Sequence, residues 1–315
     1  MSQTGQRLTD WPGGRYTTVS IVLGTKKMRM TAQYALVFKA FFYDDFVRRR
    51  LDQVIRAAPS ADVFLLIDET AGPAGPIDYD RVIRITEAAV TAQGFPDISE
   101  RSLFWYNADY PMYYFQSLHP GYEHYVIVEY DAVPNRRIDA LVEACAAQSI
   151  DLLGQPIAMP VDRYFWTGRM TRFYPREAIR PFLVCAAVLS RRAIEHLAAR
   201  RIEQGRNYDL ADAAQWPIGE CFIATELGQA GFSIRSLSSF GHLTKFDWWP
   251  PYHESELPDL PDELFIHPVL IGQRYWRSFF KGGVKWALIK MAKQLPPRLL
   301  RRFGRAVRGR RPEFS

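Results

Sequence analysis

Two carboxylates, Glu129 and Asp131, stand one residue apart at the end of the apolar run Tyr125-Val126-Ile127-Val128. Four β-branched or aromatic residues in a row read as a strand buried on both faces, and no turn residue separates that strand from its acids. Residues i and i+2 of a strand point to one side, so the pair can share a ligand if the extended geometry persists. Two hard oxygens beside an open crevice suit a divalent cation that carries substrate phosphates. Asp68 and Glu69 repeat the arrangement after a second apolar run, Ala61 to Ile67. In an open parallel sheet ligands bind at the carboxyl ends of the strands, where both acidic pairs fall.

These acids need a scaffold, and the chain supplies alternating patterns. Thr17 to Leu23 reads as a first strand and Thr31 to Ala58 as a helix, with Phe38, Phe41, Phe42, Phe46, Leu51, Val54 and Ile55 near helical spacing. Arg81 to Ala92 reads as a second helix, Ser102 to Tyr106 as a short strand, and a helix follows Pro134. Further strands are expected at Ser149 to Leu153, Phe182 to Leu189 and Phe232 to Ile234. Helices are expected from Ala193 to Arg201 and from Gly219-Glu220 to a stop at Gly231. Phe265 to Pro268 closes the body. Continuous apolar strands alternating with helices indicate an α/β fold, an open, mostly parallel sheet covered on both faces. No GxGxxG or GxxxxGK[ST] follows the first strand, which counts against a dinucleotide fold and a P-loop.

The net charge of +6 conceals two surfaces. From Arg274 to Arg311 there are 13 Lys and Arg and no Asp or Glu, leaving 27 basic and 34 acidic residues elsewhere. Trp276, Phe280, Val284, Ala287, Met291 and Leu295 recur at three- and four-residue spacing, with Arg277, Lys281 and Lys285 beside them. That is the pattern of a helix lying in a membrane interface, and its aromatic and aliphatic stripe favours an anionic lipid surface over nucleic acid. The organisation expected is an arm over residues 1–16, a body over 17–270 and a basic amphipathic tail over 271–315. The polar N-terminus, the absence of a bilayer-length apolar run and three scattered cysteines point to the cytoplasm, at the inner face of the membrane.

Taken in order, these segments resemble the GT-A class of nucleotide-sugar glycosyltransferases. Glu129-Tyr130-Asp131 is similar to the DxD motif of that class, with Glu in place of the first Asp. The strand ending at Asp68 resembles the one whose terminal acid holds the nucleotide. Cys185 to Leu197 resembles the strand-Ser-Arg-helix segment on the acceptor side. The segment from Gly219 resembles the helix that carries the catalytic acid, although Glu220 is followed by Cys221 where many members have Asp. The resemblance implies a metal-dependent transferase using Mn²⁺ or Mg²⁺, a UDP- or GDP-type sugar donor, and a lipid-linked or glycan acceptor. It implies Asp131 and Glu129 as metal ligands, with His267 completing the shell, and nucleotide contacts from Asp68 and Glu69. Glu220, at a helix opening where the helix dipole would keep it ionised, is the candidate base for an acceptor hydroxyl. Arg169 is a candidate cation for diphosphate or an acidic acceptor. Two other readings stand beside this one: a GT-A-like binding module without transfer activity, and a nucleotidyltransferase. The loop Gly24 to Met30, with a single glycine, counts against the latter.

Overall fold

The structure is a computed structural model that describes residues 34–96, 103–208 and 216–281. The arm 1–16, the strand expected at Thr17 to Leu23 and the tail beyond Lys281 lie outside the described residues.

In chain order the elements are β1 (Tyr34–Ala40), α1 (Asp45–Ala57), β2 (Asp62–Asp68), β3 (Val82–Ile85), α2 (Glu87–Thr91), α3 (Tyr110–Leu118), β4 (His124–Glu129), β5 (Val133–Pro134) and α4 (Ile138–Gln148). There follow β6 (Leu152–Pro156), α5 (Thr167–Met170), β7 (Phe182–Ser190), α6 (Arg191–Arg206), α7 (Gly219–Gln229) and β8 (Ile234–Ser236). The described chain ends with β9 (Tyr252–His253), β10 (Phe265–Ile266), β11 (Val269–Leu270) and α8 (Gly272–Phe279). The main sheet has seven strands in the order β3-β2-β1-β4-β7-β6-β8. From β3 to β4 they run parallel; β7 is antiparallel to β4 and β6, and β8 is parallel to β6.

Alternation along the central strands sends side chains to two cores. On one face Val37, Leu66 and Ile127 pack with Phe115, Leu197 and Phe222 of α3, α6 and α7. On the other, Phe38, Leu65 and Val128 pack with Phe46, Leu51 and Leu141 of α1 and α4. Helices on both faces explain why the strands read as unbroken apolar runs. The expected open, mostly parallel α/β sheet is what the chain forms, with β7 as the reversed strand.

The largest correction concerns the helix expected from Thr31 to Ala58. Its first described part is β1, an inner strand of the parallel set flanked by β2 and β4, and only Asp45–Ala57 is helical. All seven residues of β1 are buried. A nearly continuous apolar run matches a helical period and a two-sided strand equally, so spacing alone cannot separate them. The helix starts where Asp44 accepts hydrogen bonds from the backbone N–H groups of Phe46 and Val47. The helix expected from Arg81 is β3 followed by α2, whose start is set by Thr86 capping Ala89. Leu103 to Asp109 forms turns leading into α3 instead of a strand; Pro111, in the first turn of α3, suits that start. The strand expected at Ser149 begins at Leu152, because Ser149 takes a left-handed conformation that ends α4. The body also runs past Pro268, through β11 into α8, whose Tyr275 and Phe279 are buried.

Candidate active site

The site gathers at the carboxyl ends of β1 and β4 and the start of α7. Register pairs Lys39 of β1 with Glu129, the last residue of β4. Lys39 is fully buried. Its Nζ lies 2.8 Å from Glu129 Oε1 and donates to the carbonyls of Phe104 at 3.3 Å and Ala108 at 3.4 Å. The ammonium also sits 4.5 Å from the centre of the Phe104 ring. A buried cation with all three donors occupied is a fixed part of the wall. It neutralises the first acid of the pair and orients it.

β4 ends at Glu129, so Asp131 lies in a turn rather than an extended strand. The turn is pinned by the Val269 N–H, which donates to the Asp131 carbonyl at 2.8 Å. That bond brings in His267, two residues earlier. Its Nδ1 lies 2.7 Å from the carbonyl of Asp247. A carbonyl only accepts, so Nδ1 carries the proton and Nε2 is left facing Asp131 Oδ1 at 3.6 Å. Burial works against protonation of this ring, but the neighbouring Cys185 and Asp131 outweigh it and push its pKa above the usual histidine value. Ligand atoms of Glu129, Asp131 and His267 lie within 4.8 Å of one another.

Asp131 Oδ1 is buried and has no hydrogen-bond partner. An unsatisfied buried carboxylate oxygen is costly, and a cation taking the place of the Nε2 proton between it and the imidazole would satisfy both. Two carboxylates and one imidazole suit Mn²⁺, or Mg²⁺ with more of its shell left to water and phosphate. The three residues named from the sequence as metal ligands therefore come together in a set that fits the ion.

Glu220 lines the same cleft, in the first turn of α7. It accepts a hydrogen bond from the Tyr164 hydroxyl at 2.7 Å. Burial, with the Glu129 charge adding to it, pushes its pKa up to about 7 against the opposing Tyr164 bond. The helix dipole was expected to hold Glu220 firmly ionised; desolvation outweighs it. The cleft, about 480 Å³, is completed by Phe41, Phe104, Trp105 and Trp248 and by Arg277, Ser278 and Lys281 of the α8 region. Arg274 fastens α8 to the body, 2.9 Å from Asp44 and over the ring of Phe42 at 3.9 Å.

Other expected residues lie elsewhere. Asp68 ends β2, next to β1 on the same rim, and accepts from the Thr70 N–H at 2.9 Å. Glu69 is paired with Arg84 and accepts from the Ala74 N–H. Arg169 stacks on Trp166 at 4.5 Å and donates to the Tyr106 hydroxyl at 2.9 Å. None of the three lines the cleft that holds the metal-ligand set. Reading the sequence missed Lys39 and Tyr164 and gave Arg277 and Lys281 only a membrane role. A lone lysine inside YALVFKA was the available signal for the first.

No protein-family model matches the chain, and no curated protein matches it in sequence. Similar solved structures include mouse xyloside xylosyltransferase 1 in its apo form, at 12% identity and a TM-score of 0.37, covering 65% of this chain and 85% of that one. A glycosyltransferase involved in glycosylation of the major capsid of PBCV-1 aligns at 9% identity and TM-score 0.38, over 78% and 98% of the two chains. The galactosyltransferase LgtC, solved with donor and acceptor sugar analogs, aligns at 11% and 0.38, over 71% and 78%. All three are glycosyltransferases. At that identity and overlap the likeness decides nothing about the chemistry, which rests on the residues of the cleft.

Proposed function

We propose that the chain is a divalent-metal-dependent glycosyltransferase that moves a sugar from a UDP- or GDP-type donor to a glycan or lipid-linked acceptor at the cytoplasmic face of a membrane. One observation carries this reading. The Glu129, Asp131 and His267 set, with its orphaned Asp131 oxygen, shares a single cleft with the Glu220 carboxyl, whose pKa burial pushes up to about 7.

A transfer with inversion breaks the bond from the anomeric carbon to the diphosphate as the acceptor oxygen attacks. Glu220 takes the acceptor proton, and a pKa near neutrality lets it do so without holding the proton too weakly. Tyr164 fixes the carboxylate that receives it. The electron pair leaves on the diphosphate, where Arg277 and Lys281 meet the developing charge. A cation held by Asp131, His267 and Glu129 would supply Lewis-acid neutralisation of that leaving group. Asp68 and Glu69, one strand along the rim, are assigned to the nucleoside, and Arg169 with Trp166 to the acceptor.

The membrane assignment is supported by the basic stretch from Arg274 to Arg311 and by the exposed Trp276 and Phe280 at its start. Among the described residues no helix is long and apolar enough to cross a membrane. The three cysteines are free, as in a reducing compartment.

A panel of nucleoside diphosphate sugars, followed by thermal shift with and without Mn²⁺, tests the reading. UDP or GDP should stabilise the wild type only with the metal present. Asp131→Asn should lose that response with its own melting temperature little changed. Metal-dependent nucleotide binding that survives Asp131→Asn would remove the basis for the assignment.

A further inference from the structure

Of the eight large hydrophobic side chains exposed on the described residues, six belong to the cleft or its surround. Phe41, Trp105 and Trp248 line it. Phe165 packs edge-on against Trp166 at 4.6 Å, and Trp166 in turn against Trp105 at 5.6 Å, so the aromatic rim extends outward from the cleft without a break. Trp276 and Phe280 stack on each other at 5.8 Å in the segment whose Arg277 and Lys281 line the cleft. Phe165 is 81% exposed and Trp248 61%. These residues come from five separate stretches of the chain, and scattered exposed aromatics would not converge on one opening. We infer that the mouth of the cleft is itself a membrane-interface surface, and that the cleft opens onto an anionic bilayer from which a lipid-borne acceptor enters.

The occupant follows from chemistry at the mouth. Aromatic rings with Arg and Lys beside them match the level of lipid headgroups, where an apolar ring and a cation are both accommodated. In sequence, Lys281 is followed by residues 282–311, which carry ten more Lys and Arg and no acid. A bilayer contacted by that basic stretch is held next to the mouth, because α8 is fastened beside it by Arg274 and Asp44. The functional consequence is orientation: an acceptor sugar on a lipid headgroup would reach Glu220 without leaving the interface. The inference rests on the reading of the tail as a membrane anchor, and adds that residues far from the tail share the contact.

Phe165 is the residue to test, being outside the cleft and far in sequence from the tail. Cys145, Cys185 and Cys221 are all buried, so Phe165→Cys in the full chain can carry one environment-sensitive label. With vesicles of phosphatidylcholine and phosphatidylglycerol in equal parts, the label should shift to the blue and be quenched by lipids brominated near the headgroup. Phe165→Ser together with Trp248→Ser should weaken vesicle partitioning at least tenfold, equivalent to about 1.4 kcal/mol. A chain that sediments with vesicles while the label stays in water, and whose double variant partitions normally, would overturn the inference and leave the tail as sole anchor. Normal partitioning with lost transfer to a soluble acceptor would overturn it too, making the aromatics a sugar platform. A wild type that does not sediment at all would remove the anchor reading and this inference together.

Discussion

At the level of single residues, the acids were legible and their partners were not. Glu129 and Asp131 announced themselves because charge directly after a buried strand has few places to go. Lys39 did not, since its role depends on which strand lies beside β4, and that is a tertiary fact. Its 2.8 Å pairing with Glu129 means that Asp131 and His267 are the less encumbered candidate ligands of the set. Glu220 was picked out by its position at the opening of a helix, but the expectation that the dipole keeps it ionised left out its burial, which could not be read. That burial yields a prediction. A base with a pKa of about 7 is protonated, and useless, at acid pH. The turnover rate should fall roughly tenfold per pH unit below about 7 and level off above it. Glu220→Gln should abolish turnover while donor binding, followed calorimetrically, persists. A flat rate between pH 5.5 and 8 in the wild type would place the base elsewhere.

At the level of elements, the stop expected at Gly231 falls just past the end of α7, whereas the apolar spacing through β1 misled. Asp44 and Thr86, which cap α1 and α2, were signals that the sequence offered and the periodicity overrode. The sequence placed the start of α7 correctly at Gly219, but not the reason for it. Gly219 lies against Asp109, and a Cβ there would come within 2.6 Å of Asp109 Oδ1 and 3.2 Å of its backbone nitrogen. Asp109 cannot withdraw easily, because its other oxygen is held at 2.7 Å by the fully buried Arg201. Gly219→Ala should therefore push the first turn of α7 outward, at a cost of about 1–3 kcal/mol by the usual penalty of overpacking. The same displacement would move the neighbouring Glu220 away from Tyr164. The expected result is a lower urea midpoint together with a turnover loss larger than the loss of donor affinity. Unchanged stability would mean that α3 and α7 are less tightly seated than the close approach indicates.

At the level of the whole molecule, the charge split between body and tail was plain from composition, while the join between them was not. The boundary expected near residue 271 falls within a segment that belongs to both: Tyr275 and Phe279 are buried on the body, and Arg277 and Lys281 line the cleft. Cutting the chain at Gln273 would remove cleft wall and anchor together and could not separate their roles. A chain ending at Lys281 does separate them, since it retains α8 and loses the ten basic residues between Lys285 and Arg311. Each cation near an anionic surface contributes roughly 1 kcal/mol before screening, so even a fraction of the ten outweighs what the aromatic rim alone can supply. The shortened chain should lose most of its sedimentation with anionic vesicles at 0.1 M salt and keep its Mn²⁺-dependent nucleotide response. Because the Debye length shrinks from about 10 Å at 0.1 M salt to about 3 Å at 1 M, wild-type binding should also weaken steeply with added salt. What the shortened chain retains, resting on the aromatic rim and only the three cations of the α8 region, should depend on salt far less steeply. Equal partitioning of the two chains would show that the basic stretch is not what holds the protein at the bilayer.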